Sequence, residues 1–196
     1  MTQTKIGVGM INATSIGDAK VLQGDGSWVT PSSGTDITLG TEVASTSGTA
    51  ITFSSIASTA KRITINMVGV SQGSASQTLQ LQIGDSGGIE TSGYTSVRIG
   101  TADEAVQTTT RATDCYGLFF QTGFQAADVA DGVIVLTLED STNNHWNCWS
   151  ILGLTNVDYL FLQIGSKALS AVLTQLKIFT AGGATFDAGA VNIMVE

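Results

Sequence analysis

Charged side chains are scarce in this sequence. They make up 12% of its 196 residues, whereas an average soluble domain carries about a quarter. The 8 lysines and arginines are outnumbered by 16 aspartates and glutamates, so the net charge is −8. Because no basic cluster is present to meet a phosphate backbone, we expect no nucleic-acid partner. A surface on which serine, threonine and glycine replace charge favours packing against copies of the same chain.

Long apolar runs are also missing. No stretch approaches the roughly 18 residues that a membrane-spanning helix needs, so we expect no membrane insertion. The chain begins MTQTKIGVG, which contains neither the basic region nor the unbroken apolar region of a secretory signal peptide. Both observations favour a protein that is made and assembled in a cytoplasm.

The chain has 2 cysteines and 1 histidine. Cys115 and Cys148 are too few for a disulfide framework, and we expect both to be free thiols. His145 and Cys148 have a spacing that could begin a zinc site. Zinc takes three or four protein ligands, however, and no further histidine or cysteine lies nearby in the sequence. We therefore predict no metal and no cofactor.

Residues 84–88 read GDSGG, the sequence found around the nucleophile of chymotrypsin-like proteases. A serine nucleophile needs a histidine base within hydrogen-bond reach. The only histidine, His145, follows Ser86 in the chain, whereas that protease family places its histidine before the serine. The same residues suit a tight turn, because glycine adopts positive φ freely and Asp85 and Ser86 can bond to nearby backbone. We predict a turn.

A glycosidase uses a pair of carboxylates, and the number of carboxylates in this sequence does not exclude one. The available side chains are those of Asp85, Glu90, Glu139 and Asp140. Carboxylates in such positions more often cap turns, and the sequence shows no aromatic-rich groove to hold a sugar chain. We predict that the protein is not an enzyme.

From residue 35 onward the chain reads as β-strands. Leu79, Leu81 and Ile83 alternate with glutamines, the pattern of a strand with one buried face. Residues 133–138, VIVLTL, form an almost continuous apolar run, as expected of a strand covered on both faces. Further strands are predicted over 63–68, 146–154, 159–164, 172–179 and 190–195. Their number and spacing predict an all-β fold, an antiparallel, jelly-roll-like β-sandwich over residues 35–196.

Residues 1–34 differ from the rest of the chain. Met10, Ile11, Ile16, Leu22 and Trp28 are apolar, but they are scattered among glycine, serine, threonine and aspartate without a periodic run. So short a segment cannot bury these side chains by itself. We predict an extended N-terminal arm for oligomerisation and attachment, with these five residues as candidate contacts.

Two parts of the sequence resemble bacteriophage fibre proteins. Residues 12–14 (NAT) and 22–28 (LQGDGSW) resemble the segment that precedes the terminal domain of many tail fibres. Residues 82–94, 165–170 and 185–193 are similar to a fibre-end domain found in phages of aquatic bacteria. The resemblance implies a short trimeric tail fibre or receptor-binding tip with a C-terminal β-sandwich.

The segment HWNCW, residues 145–149, is the best candidate for surface recognition. Trp146 and Trp149 are three positions apart, so on a strand they point to opposite faces. The favoured interpretation places both tryptophans in the core or in a subunit interface, and the alternative leaves one free to stack on a sugar ring. With His145 and Tyr94, these residues form our candidate set for binding a host cell-surface glycan.

Together these observations predict a structural protein of a tailed-phage virion, assembled in the host cytoplasm. We expect a homotrimer that attaches to other virion proteins of the tail, baseplate or capsid through its arm and displays the sandwich outward. The alternative is a capsid cement or decoration protein, which would also be a small acidic β-sandwich trimer with an extended arm.

Overall fold

A computed structural model describes residues 21–22, 28–29, 37–74, 76–102, 105–106, 109–119, 124–126 and 128–196. The chain divides into two compact units, Met1–Asp36 and Ile37–Glu196. This boundary lies close to the division after residue 34 that the sequence predicts.

The first unit contains one described pair of short strands. Strand β1 (Val21–Leu22) pairs antiparallel with β2 (Trp28–Val29), and Leu22 is opposite Trp28. Of the candidate arm contacts, Met10, Ile11 and Ile16 lie outside the described residues.

The described residues of the second unit form strands and turns without a helix, because alternating apolar and β-branched segments are separated by glycine-, asparagine- and aspartate-containing turns. The strands are β3 (Thr38–Leu39), β4 (Val43–Ala44), β5 (Ala50–Phe53), β6 (Arg62–Gln72), β7 (Leu79–Asp85), β8 (Gly88–Ile89), β9 (Tyr94–Ala102), β10 (Ala105–Val106), β11 (Thr110–Ala112), β12 (Tyr116–Gly117), β13 (Ala130–Asp140), β14 (His145–Leu154), β15 (Tyr159–Ala168), β16 (Gln175–Thr180) and β17 (Phe186–Val195).

Two antiparallel sheets pack together as a β-sandwich, which confirms the predicted fold class. The larger, 10-stranded sheet has the order β10-β9-β15-β14-β13-β6-β17-β3, with β11 also paired to β9 and β4 to β17. The smaller, 5-stranded sheet has the order β12-β7-β16-β5, with β8 paired to β7.

The long strands pair in a nested order that resembles a jelly roll. β6 pairs with β17, β7 with β16, β9 with β15, and the innermost pair is the hairpin β13–β14. A jelly roll distributes such pairs between its two sheets. Here the innermost pair stays in the larger sheet, between β15 and β6, so that sheet is unusually wide.

The core lies between the sheets. Leu79, Leu81 and Ile83 of β7 are fully buried, as their alternation with glutamines predicts. Tyr116, on the smaller sheet, donates a hydrogen bond of 3.1 Å from its hydroxyl to the backbone carbonyl of Trp146 on the larger sheet. Burial of each large apolar side chain contributes about 1.5–3 kcal/mol, and this core is continuous from one sheet to the other.

The predicted strand positions are confirmed, with shifted ends. The segment predicted over 172–179 begins as a strand only at Gln175, and Val172 lies in the exposed connection before it. Strand β9 has no counterpart among the predicted strands. Its sequence, YTSVRIGTA, interrupts the apolar alternation with Arg98 and Gly100.

Candidate functional site

The outward side of the larger sheet is the candidate functional site, because its centre is apolar and uncovered. In β14 buried side chains alternate with exposed ones, so Trp149 and Ile151 point outward with 41% and 47% of their surfaces exposed. In the neighbouring strand β15, Leu160, Leu162 and Ile164 point outward, and Ile164 is 62% exposed. These side chains are large and apolar, of the same type as those that the opposite side of each strand buries in the core.

Strand register aligns these side chains into rows that cross four strands. In one row, Trp149 lies between Ile164 of β15 and Val135 of β13, and Ile164 is opposite Val97 of β9. The next row is Ile99, Leu162, Ile151 and Val133. Together with Leu160 these residues form what we call the outer apolar face: Val97, Ile99, Val133, Val135, Trp149, Ile151, Leu160, Leu162 and Ile164. All of them except the buried Val135 are at least partly exposed.

Charge is confined to the borders of the outer apolar face. Arg111 of β11 is exposed and lies opposite Val97. Asp131 of β13 lies opposite Gly153, and its carboxylate accepts a hydrogen bond of 2.7 Å from the backbone N–H of Gly69. None of the nine residues of the face is charged, although the chain carries a net charge of −8.

A polar row closes one end of the outer apolar face. It consists of side chains in register on the same four strands: Thr95, Ser166, Asn147 and Thr137. An open groove of about 670 Å³ runs beside this row, and Arg111, Trp149 and Ile164 contribute to its walls. Of the two aromatic residues that line the groove, Trp149 is exposed and Tyr94 is buried.

The predicted recognition residues do not lie together on the surface. Trp146 and Trp149 point to opposite sides of β14, as their spacing predicts, but Trp146 is only 2% exposed and belongs to the core. The hypothesis that Trp146 recognises a surface ligand is therefore wrong. His145 is partly exposed, and its Nδ1 lies 3.0 Å from a carboxylate oxygen of Glu139.

Tyr94 is buried, so its assignment to a recognition surface is also wrong. Its hydroxyl accepts a hydrogen bond of 2.9 Å from the backbone N–H of Ile83 and lies 2.9 Å from the carbonyl oxygen of Glu90. Its ring packs edge-on against Tyr116 at 5.0 Å. Burial raises the pKa of Tyr94 above its ordinary value, so its hydroxyl stays neutral. Its hydrogen bonds connect the start of β9 to the end of β7.

The GDSGG segment forms the hairpin turn between β7 and β8, as predicted. Asp85 is buried, and its Oδ1 accepts a hydrogen bond of 2.8 Å from the backbone N–H of Gly87. Its Oδ2 accepts bonds of 2.6 Å from the Ser170 hydroxyl and 2.9 Å from the Ala171 N–H. The Ser170 bond, followed by the Gly87 bond, lowers the pKa of Asp85. Ser86 stands exposed at the tip of the turn.

A buried lysine lies beside this turn. Lys167 of β15 forms an ion pair with Glu90 and donates a hydrogen bond of 2.6 Å to the carbonyl of Ala168. Its ammonium lies 5.6 Å from the centre of the Tyr94 ring. Glu90 also accepts a bond of 3.2 Å from the backbone N–H of Ser170. The segments 82–94 and 165–170, which both resemble a fibre-end domain, therefore meet in one polar network.

Cys115 and Cys148 are unpaired and buried. Burial raises the pKa of Cys115 to about 12 and that of Cys148 well above its ordinary value. The Sγ of Cys148 lies 3.4 Å from the Oε1 of Gln163. Both side chains are neutral thiols at physiological pH, and such thiols are weak nucleophiles.

Within the ranges that the structure describes, no group of three histidine, cysteine, aspartate or glutamate side chains is placed to hold a metal ion. The same part of the chain contains no helix that is long and apolar enough to cross a membrane. No protein-family model matches the chain, and no curated protein or solved structure shows significant similarity to it.

The outer apolar face is the feature that sequence reasoning missed. Val97 and Ile99 lie on β9, which was not predicted as a strand, and the outward direction of Leu162 follows only from its pairing with Ile151. One signal was present in the sequence. Residues 133–136 are apolar at consecutive positions, which indicates a strand with apolar surroundings on both sides.

Proposed function

We propose that this protein is a structural component of a tailed-bacteriophage particle, a short trimeric fibre or appendage. Its N-terminal arm attaches to other virion proteins, and its β-sandwich is displayed outward for contact with the host surface. In this proposal the protein works by contact between surfaces, without a catalytic step.

The observation that carries the proposal is the outer apolar face. The largest contiguous apolar patch on a soluble monomer typically covers about 300–600 Å², and it is often an interaction site. Here nine aligned apolar side chains lie at the centre of one sheet, eight of them at least partly exposed, and no charge interrupts them. A protein built around such a surface is suited to assembly into a larger structure.

Two further observations support a virion protein in particular. The low charge of the whole chain suits a protein that functions within an assembly, with much of its surface packed against other chains. The segments that resemble a fibre-end domain also include the residues that tie the sandwich together, Asp85, Glu90 and Lys167. The resemblance therefore falls on structural positions, as expected for a shared scaffold.

The oligomeric state and the location on the particle test the proposal. Light scattering of the full chain at micromolar concentration is expected to return three times the 20.2 kDa chain mass, and a monomer would contradict the proposal. Electron microscopy of virions with antibody-labelled protein is expected to show label on the tail. Label spread over the capsid surface would instead support the cement or decoration protein.

A further inference from the structure

We infer that the outer apolar face is the surface through which copies of this sandwich contact each other. The inference rests on the proposed trimeric function and goes beyond it, because the sequence assigns oligomerisation to the arm alone. It commits to one occupant for the face, a second copy of this chain, with the three copies turning this surface toward a common axis.

The size of the face fits the core of a subunit interface. Neighbouring strands lie about 4.8 Å apart and alternate residues about 6.8 Å apart, so the two apolar rows together with the polar row, on four strands, span roughly 400 Å². A stable interface buries about 800 Å² per partner, with an apolar centre and a polar rim. The polar row of Thr95, Ser166, Asn147 and Thr137 and the border residue Arg111 supply such a rim.

The charge distribution favours a copy of the same chain as the partner. Two copies that each carry a net charge of −8 repel each other, and an uncharged contact surface adds no close like-charge pairs to this repulsion. The outer apolar face contains neither acidic nor basic side chains, whereas Asp131 and Arg111 stay at its borders. A charge-free surface on an acidic protein allows two copies of the protein to come into contact.

Strand β13 is apolar on both of its sides. Its inward residues Ile134 and Leu136 are covered by the smaller sheet, and its outward residues Val133 and Val135 are equally apolar. Apolar residues on both sides of a strand are typical of strands that are covered on both sides. Within one chain the outward Val135 is already buried, but Val133 and the neighbouring Trp149 and Ile151 of β14 stay at least partly exposed, and a second copy covers them.

A sugar fits the face less well than a protein does. Saccharide sites combine aromatic platforms with hydrogen-bonding groups, and the face offers one exposed aromatic ring, that of Trp149. Its hydrogen-bonding side chains are confined to the polar row at one end. Most of the surface is formed by the branched aliphatic residues Ile99, Ile151, Leu162 and Ile164.

The first test compares two substitutions to glutamate, at positions of nearly equal exposure, in the full chain. Leu162 in the face is 43% exposed, and Val172 outside it is 44% exposed. Leu162→Glu places one unpaired charge per subunit in the interface, so we expect the concentration for half-dissociation of the trimer to rise at least about a hundredfold. Val172→Glu is expected to leave it within about threefold. Circular dichroism establishes that each variant is folded.

The second test uses substitutions that add no charge. Ile164→Cys and Val172→Cys introduce thiols, while Cys115 and Cys148 are buried and supply little background. In the trimer we expect a maleimide to modify Ile164→Cys at least about tenfold more slowly than Val172→Cys, although Ile164 is the more exposed residue within one chain. Dilution below the dissociation concentration should remove this protection.

The outcomes separate the inference from the proposed function. A trimeric wild type whose Leu162→Glu variant dissociates at the same concentration, or whose Ile164→Cys is modified rapidly, would overturn the inference and leave the trimeric fibre intact. Protection of Ile164→Cys that appears only in assembled particles would assign the face to another virion protein and overturn it too. A monomeric wild type would contradict both.

Discussion

Replacement of Asp85 by alanine is expected to destabilise the sandwich without changing its fold. The Asp85 carboxylate accepts hydrogen bonds from Gly87, Ser170 and Ala171, so it ties the β7–β8 turn to the chain that leads into β16. Asp85→Ala removes all three acceptor contacts at once.

The loss in the free energy of unfolding depends on how many of the three hydrogen-bond donors can bond to water instead. A hydrogen bond to a charged group contributes about 1.5–3 kcal/mol. Gly87 and Ser170 are exposed and regain water, whereas Ala171 is partly buried. We therefore expect a loss of about 2–3 kcal/mol in the free energy of unfolding, well below the sum of three bonds. For a chain of this length that corresponds to a fall in Tm of about 4–12 °C.

Denaturant and thermal unfolding at one fixed protein concentration measure this loss, since the stability of an oligomer depends on concentration. Ser86→Ala is the matched control, because Ser86 lies in the same turn but is exposed at its tip. That variant is expected to stay within about 0.5 kcal/mol of the wild type. If Asp85→Ala also stays within this range, the carboxylate does not hold the turn and the reasoning fails.

Three further predictions concern acid, backbone packing and the arm. Because the pKa of Asp85 is lowered in the folded state, its contribution to the free energy of unfolding is present above about pH 4 and is lost as the pH falls through the folded pKa. Acid titration followed by circular dichroism should therefore show a smaller loss of stability for Asp85→Asn than for the wild type. Gly189→Ala should cost at least about 2 kcal/mol, because φ is +88° and a Cβ would lie 2.3 Å from the backbone of Gly69. Gly183→Ala, with φ of +71° and open space, should cost about 1 kcal/mol, and equal losses would contradict the packing argument. Deletion of residues 1–30 should leave a folded sandwich that no longer enters particles, and normal incorporation would place attachment in the sandwich.

The strands could be predicted because each of them carries its own pattern. Alternation in β7 and the apolar run in β13 depend only on neighbouring residues, and both are confirmed. Strand β9 could not be predicted in the same way. Its inward positions hold Tyr94, Ser96 and Arg98 in place of a regular apolar series, and these residues are accommodated by contacts with distant parts of the chain, such as the bond from the Gly117 N–H to the Ser96 hydroxyl.

The candidate site was harder to predict than the fold. Spacing alone showed that Trp146 and Trp149 point to opposite sides of a strand, but it did not show which side faces the smaller sheet. Tyr94 lies in a glycine- and serine-rich stretch that reads as surface, yet its hydroxyl is used inside the fold. Exposure is decided by pairing between residues that are far apart in sequence, and a single sequence contains no direct record of that pairing.

The unusual strand order and the outer apolar face have a common origin. If the β13–β14 hairpin joined the smaller sheet, as alternation of nested pairs would require, β14 would no longer adjoin β15. Val135 and Trp149 would then be separated from Ile164 and Val97, and no row would cross four strands. Because the hairpin stays in the larger sheet, the apolar outward residues of β13, β14, β15 and β9 become continuous. The topology that widens this sheet is therefore also what creates the continuous surface through which we propose that another copy of the chain binds.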